Sequence, residues 1–409
     1  MKLALSGDQL ACLITAAKIS ELQSHSVFLS GSTHNSAAGD EGISELGPYF
    51  SAVLSSLGLS EKDWLLQSKS LFSLGRQFLV AETETLNLPY GFEVDNFQGW
   101  DSAQLVGANC LAQNHASSLV KAMMDRNKFA HLPEQLLAQG YRAEYGFICF
   151  KGDAIRIMHE KLKPKCTMVD SNASPAGHQK PNIEFQFNLD NQLSFADDAG
   201  MVKRVPYIHI KVEEGSVLRR ASSIDRSLVV RESLPMRQDT CEDISDDKKV
   251  IIAINLSASL LSPVYDRVID IVNVFRKHLS DFFFDQSYRA AILQSINAEL
   301  KLLWDLEQLL HIRLGVKAAA DNEGIHHALK RFLGSGCLPS WEGVLISDRD
   351  INGVLTTISQ PSARSHPLLA HKEVSDPIAD YFGERSNTAN KIAVSMPTLD
   401  EYIAPFLRV

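Results

Sequence analysis

The 409-residue sequence lacks a long hydrophobic run, closely paired cysteines and an excess of positive charge. No apolar stretch approaches the roughly 20 residues that a membrane-spanning helix needs, so no transmembrane segment is expected. Residues 1–6 hold one lysine and a short apolar patch that ends at Gly7, which is not the pattern of a signal peptide. We therefore expect a cytoplasmic protein, or one that enters a host cell by a route that needs no signal peptide.

The six cysteines are scattered, without the C-x-x-C pairs or finger spacing that zinc sites use. The H-E-x-x-H motif of zinc hydrolases is absent as well. Cys149 and Cys166 fall in neighbouring predicted strands, where two reduced core thiols are expected. The sequence therefore predicts no metal and no cofactor, and it favours a reducing compartment.

The net charge of −9 and the isoelectric point near 5.8 exclude nucleic acid as the default partner, because phosphate binding needs clustered lysine and arginine. Hydrophobic residues make up 45% of the chain and charged residues 22%, which is ordinary for a soluble globular protein of two or three domains. The expected partner is a protein substrate or a host protein. Contact with a membrane surface stays open.

Local patterns divide the chain into five parts. Asp8 is a predicted N-cap, and Ser60-Glu61-Lys62-Asp63 resembles a capping box. Short alternating runs, separated by polar turns, predict strands at 145–150, 154–159, 166–170, 183–189 and 205–212. The predicted parts are an N-terminal helical region (1–95), an α+β candidate catalytic core (96–212), a flexible charged linker or insertion (213–249), a helical domain (250–360) and a loosely ordered tail (361–409).

The candidate nucleophile is Cys110. The run from Gln104 to Gln113 places this cysteine where a glycine-containing segment turns into an amphipathic helix. A helix N-terminus offers unpaired N–H groups and the positive end of the helix dipole, and both favour a thiolate. The alternative is a small buried core residue, because free cysteine is among the most buried residue types.

The segment from about 98 to 212 resembles the papain-like cysteine enzymes, which include proteases, transglutaminases and bacterial deamidase effectors. Gln104 lies six residues before Cys110, the offset at which papain-like proteases place an oxyanion-binding glutamine. The resemblance implies His159 as the base, with His178 and His209 as rivals, and Asp170 as the residue that orients it. Asp153 stands where many members have the histidine. The implied fold is α+β, a papain-like helix-plus-antiparallel-sheet core flanked by N-terminal helices and a C-terminal helical bundle.

This resemblance predicts a cysteine-dependent amide hydrolase or acyl transferase that acts on a protein, in the manner of a secreted bacterial effector. His159 would deprotonate Cys110, while Gln104 and the Cys110 N–H group would stabilise the oxyanion. The alternative is a non-catalytic helical adaptor that binds a protein or a membrane surface and retains a degenerate papain-like core.

Overall fold

A computed structural model describes most of the chain. The chain divides into two units, and each unit is made of three separate segments of the sequence. The described residues are 2–21, 26–31, 42–80, 84–90, 96–97, 100–101, 118–170, 183–190, 193–196, 204–213, 216–224, 227–234, 237–245, 249–315 and 371–407. Unit 1 consists of Met1–Leu71, Gly146–Gly200 and Ser222–Trp304, and unit 2 of Phe72–Tyr145, Met201–Ala221 and Asp305–Val409.

Unit 1 is built on a six-stranded sheet whose strands are parallel except at one edge. The spatial order is β10-β2-β1-β11-β17-β16, and only β16 runs antiparallel to its neighbour. The strands are β1 (Lys2–Gly7), β2 (Ser26–Gly31), β10 (Thr167–Asp170), β11 (Ile183–Asp190), β16 (Thr240–Asp243) and β17 (Val250–Ser257). Apolar residues such as Leu3, Leu5 and Phe185 are fully buried in it, as expected where helices cover a parallel sheet.

Helices pack on this sheet, and the first of them, α1 (Gln9–Ser20), is buried along nearly its whole length. Helix α1 is buried from Leu10 to Ile19, because it contacts the sheet and also helices α6 (Lys151–Leu162) and α7 (Val264–Phe284). The other helices that lie wholly or mostly in unit 1 are α2 (Phe50–Leu57), α3 (Glu61–Ser68) and α8 (Gln286–Arg313). Two smaller strand pairs are β3 (Ile43–Leu46) with β9 (Gly146–Phe150) and β12 (Leu193–Ala196) with β15 (Ser227–Ser233).

Unit 2 combines strands in the order β14-β13-β5-β6 with short and long helices. The strands are β5 (Gly75–Leu79), β6 (Thr85–Pro89), β13 (Ile208–Glu213) and β14 (Ser216–Ser222), and the helices are α4 (Leu119–Asp125), α5 (Glu134–Ala138), α9 (Lys372–Ser395) and α10 (Leu399–Leu407). A cluster of aromatic rings lies in this unit, with Phe72 stacked on Phe129 at 4.5 Å and His131 stacked on Tyr145 at 4.7 Å. The remaining strands are β4 (Leu71–Ser73), β7 (Asn96–Phe97) and β8 (Trp100–Asp101).

Several local predictions are confirmed. Asp8 caps α1 through a hydrogen bond from the Ala11 N–H group, and Ser60 caps α3 by accepting from the Asp63 N–H group. These signals are local, because a capping side chain reaches only two or three residues along the chain. None of the described helices is both apolar enough and long enough to cross a membrane.

The larger predictions fail where strand partners are distant. The first 95 residues, predicted as helical, contain strands β1 to β6, and the predicted linker 213–249 holds β14, β15 and β16. The predicted loose tail 361–409 contains α9 and α10. The α+β papain-like fold is wrong, because the main sheet is parallel and its strands β1 and β11 pair across 176 residues or more of sequence.

Candidate functional site

A cavity of about 550 Å³ opens in unit 1 at the carboxyl ends of strands β1, β11 and β17. We call it the crevice; its lining residues are Gly7, Asp8, Phe187, Asn188, Leu189, Arg237, Gln238, Asp239, Asn255, Leu256 and Ser257. Strand β1 has β2 on one side and β11 on the other, so the strand order reverses next to the crevice. Open parallel sheets bind ligands at this kind of switch point, and the volume falls in the usual range for ligand pockets.

The turn from β1 into α1 forms one wall. Gly7 has a φ of +98°, and a Cβ atom added there would lie 2.0 Å from the carbonyl oxygen of Phe187. The next residue, Asp8, donates its N–H group to the same oxygen at 2.9 Å. Only glycine fits this close approach, because a side chain would meet the backbone of β11. The turn is therefore held tightly against the neighbouring strand.

The carboxylate of Asp8 is bound on both oxygens. Its Oδ1 accepts from the Ala11 N–H group at 2.9 Å, and its Oδ2 lies 2.7 Å from the Lys151 ammonium. Lys151 opens helix α6, and its backbone N–H donates to the Gly42 carbonyl at 2.8 Å. The Asp8 side chain is 9% exposed and that of Lys151 18%, so this ion pair is better shielded from solvent than an ordinary surface pair.

A second carboxylate of the lining, that of Asp239, is buried. The Oδ1 atom of Asp239 accepts from the Ser257 N–H group at 2.7 Å and from the Ser257 hydroxyl at 2.9 Å. The Oδ2 atom pairs with the Arg267 guanidinium, which also donates to the Ser257 carbonyl. Asp239 and Arg267 are both nearly buried, so this pair fixes the end of β17 to the start of α7.

Neutral amides and apolar groups make up most of the remaining lining. The Asn188 amide donates to the Asn255 side chain at 2.9 Å, and the Asn255 amide donates to the Thr240 hydroxyl at 3.1 Å. Phe187, Leu189 and Leu256 add the apolar surface. Amides beside apolar walls can orient a neutral heterocycle or a polyhydroxylated chain.

The residues predicted as a papain-like site are not brought together among the described residues. His159 lies on helix α6, because the run from Ala154 to His159 turns one buried face inward at helical spacing and does not form a strand. Asp153, at the expected histidine position, lies in the first turn of the same helix and pairs with Arg156. Asp170 ends β10 at the far edge of the parallel sheet. Cys110, Gln104 and His178 lie outside the described residues.

The remaining rival, His209, lies on β13 of unit 2 directly opposite Arg220 of β14. Burial, and then the positive charge of Arg220, lower the pKa of His209 below its usual value. His209 belongs to unit 2, and none of the crevice residues lies in that unit.

The described cysteines differ in their expected reactivity. Burial raises the pKa of Cys12, Cys149 and Cys241 far above the usual range, and it raises that of the half-buried Cys166 to about 11. Because the thiolate is the reactive form, we expect iodoacetamide to label Cys166 in the native protein at least about tenfold faster than the other three at mildly alkaline pH. Mass spectrometry of peptides locates the label.

A urea-unfolded sample is the control for this labelling, because all four thiols should then react at similar rates. Native labelling of Cys149 or Cys241 as fast as that of Cys166 would contradict the buried placement of those two side chains.

No protein-family model matches the sequence, and no curated protein matches it either. Several solved structures, in contrast, match it over nearly the whole chain. The tryptophan 6-halogenase SttH from Streptomyces toxytricini superposes with a TM-score of 0.78 at 12% identity, covering 98% of this chain and 99% of that one. BrvH, a flavin-dependent halogenase from Brevundimonas sp. BAL3, gives 0.75 at 10% identity with 99% of both chains covered. A tryptophan halogenase from Shewanella frigidimarina gives 0.70 at 10% identity, over 99% and 97%.

The fold is that of the flavin-dependent halogenases. This finding overturns the prediction of a papain-like cysteine hydrolase or acyl transferase, and the adaptor alternative loses the degenerate papain-like core on which it rested. The halogenase fold also accounts for the parallel sheet, which a papain-like core does not have. At 10–12% identity the likeness is one of fold.

The halogenase fold raises the question of whether the crevice fits a flavin dinucleotide. In dinucleotide-binding folds the β1–α1 turn carries G-x-G-x-x-G, and the diphosphate lies on the helix N-terminus. When the second glycine of this motif is aligned with Asp8, the N-cap of α1, the motif spans Ser6-Gly7-Asp8-Gln9-Leu10-Ala11. The three glycine positions of the motif are then occupied by Ser6, Asp8 and Ala11, and none of them is glycine. The amides and apolar walls fit the neutral parts of a flavin, but the Asp8 carboxylate does not fit a diphosphate.

The β1–α1 turn was missed at the sequence level because the three glycines that usually mark it are absent. The remaining local signal is the short apolar run from Leu3 to Leu5, followed by Gly7 and then by the predicted N-cap Asp8. Within the described part of the chain, no group of three or more histidine, cysteine or acidic side chains could hold a metal ion.

Proposed function

We propose that this chain is a flavin-dependent oxidoreductase of the halogenase type, acting on an aromatic substrate as its structural neighbours named tryptophan halogenases do. The observation that carries the proposal is the crevice at the β1 switch point, in a chain that follows the halogenase fold over 98–99% of its length. This is the place where open α/β sheets bind nucleotides and related cofactors. The site is built entirely within unit 1.

The residues of the crevice suit the uncharged parts of a flavin. Asn188 and Asn255 offer amide donors and acceptors at the ends of β11 and β17, next to the ring of Phe187 and the side chain of Leu256. A bound flavin would supply redox chemistry; the chain's own contribution here is to bind it and to keep water from its buried face. The diphosphate of FAD is outside this proposal, because Asp8 occupies the α1 N-terminus.

Calorimetric titration of the full-length protein with riboflavin and with FAD tests the proposal. We expect saturable binding of at least one of the two flavins, and we expect Asn188→Trp to weaken it at least about tenfold by filling the crevice. Gln67→Trp, on the exposed surface of α3, is the matched control and should leave binding unchanged. The absence of saturable binding for both flavins in the folded wild type would refute the proposal.

A second measurement addresses the reaction type. Mass spectrometry of tryptophan incubated with the protein, reduced flavin, oxygen and bromide should show the bromine isotope doublet. The same sample with Asn188→Trp should show at least about tenfold less of it, in line with the weakened flavin binding.

A further inference from the structure

The start of helix α1 already holds an anion, which is supplied by the chain itself. The Asp8 carboxylate accepts from the Ala11 N–H group at 2.9 Å and pairs with the Lys151 ammonium at 2.7 Å. Backbone N–H groups at a helix start and a nearby lysine are the partners that proteins use to bind phosphate groups. The carboxylate therefore takes up the Ala11 N–H group and the Lys151 ammonium, two partners that a diphosphate at this helix start would use.

Two other features of this part of the chain also differ from those of a dinucleotide site. The positive φ of Gly7 is needed for the close approach of this turn to the Phe187 carbonyl. Dinucleotide sites also place an acidic residue about 20 residues further on, where it binds a ribose hydroxyl. Residues 22–39, which include β2 and its end, contain neither aspartate nor glutamate.

We infer that Asp8, held by the α1 N-terminus and Lys151, occupies the diphosphate position of the fold, so that the crevice selects flavins without a diphosphate over dinucleotides. This inference rests on the proposed flavin function. A diphosphate could reach the helix start only if the Asp8 carboxylate left the Ala11 N–H group and Lys151. Until then the Asp8 carboxylate and the diphosphate, which are both negative, would repel each other. Riboflavin carries no phosphate and meets no such repulsion.

The affinity ratio of FAD to riboflavin in the wild type and in Asp8→Gly tests the inference. We expect the wild type to bind riboflavin at least as tightly as FAD, and Asp8→Gly to raise the FAD-to-riboflavin affinity ratio at least about tenfold by freeing the helix N–H groups and Lys151. Glycine remains an acceptable N-cap, so α1 should still form. Asp8→Asn keeps the cap and removes the charge, and it should give a smaller gain.

Two further variants make the test specific. Asp63→Asn removes a negative charge from the first turn of α3, outside the crevice, and should leave the ratio unchanged. Adding Lys151→Met to Asp8→Gly should remove most of the gain, because the second partner of the anion is then lost. Thermal melting of each variant verifies that it is folded.

The outcomes separate this inference from the proposed function. Wild-type protein that binds FAD as tightly as Asp8→Gly does would overturn the inference and leave the flavin function standing. If no variant binds either flavin but inorganic pyrophosphate raises the melting temperature of Asp8→Gly and not that of the wild type, Asp8 does occupy the diphosphate position, but the selection between flavins is overturned together with the flavin function. An Asp8→Gly protein that is folded and gains neither FAD nor pyrophosphate binding would overturn the inference.

Discussion

Replacing Gly7 with alanine is expected to destabilise the protein by more than about 4 kcal/mol, the range of exceptional single mutations. The new Cβ atom would lie 2.0 Å from the Phe187 carbonyl oxygen, at a φ of +98° that residues with a side chain rarely adopt. Relief requires that β1 and β11 move apart at the crevice, and this breaks the hydrogen bond from Asp8 to Phe187. Urea unfolding monitored by circular dichroism measures the loss.

Gly58→Ala is the matched control for this prediction. Gly58 ends helix α2 with a φ of +67°, and a Cβ atom added there would meet nothing within 4 Å. Only the backbone strain remains, which costs about 1–2 kcal/mol. Equal losses for the two variants would show that the clash with Phe187 is absent from the folded protein.

The second large effect is expected at Arg267. This side chain pairs with Asp239 and also donates to the Ser257 carbonyl, and both members of the ion pair are nearly buried. Removing one partner of a buried pair leaves the other charge uncompensated, so Arg267→Ala should cost about 3–5 kcal/mol in the free energy of unfolding. The same urea experiment measures it.

Arg156→Ala provides the comparison. Arg156 pairs with Asp153 at 3.4 Å on the surface of α6, and its side chain is 54% exposed. Exposed pairs contribute little, so this variant should lose less than about 1 kcal/mol. If Arg267→Ala proves as mild as Arg156→Ala, the Asp239 carboxylate must be reached by solvent.

The sequence predicted the elements whose signals are local. The caps at Asp8 and Ser60 are confirmed, because a capping side chain and the N–H group that it binds lie only a few positions apart. The run from Ala154 to His159 was misassigned because apolar residues at 155 and 157 alternate as in a strand, although Ala154 and Met158 complete a helical face. A short apolar run does not by itself distinguish a strand from a helix.

The candidate site could not be predicted in the same way. The crevice forms at the ends of the neighbouring strands β1, β11 and β17. Strands β11 and β17 begin more than 170 residues after β1 ends, and no local pattern specifies their pairing. The usual local marker of such a site is the glycine fingerprint, and Asp8 stands at its second position. The spacing of Gln104 and Cys110 instead suggested a cysteine enzyme, because one offset between two residues says little about the fold around them.

The interleaving of the two units has a consequence for biosynthesis. Strand β1 is synthesised long before its partner β11, which begins at residue 183, and before β17, which begins at residue 250. Unit 2 cannot be completed before its last segment, Asp305–Val409, is made, because α9 packs on α4. The edge of β1 that pairs with β11 therefore stays open until β11 is made, and we expect chaperones that cover open strand edges to raise the yield of folded protein.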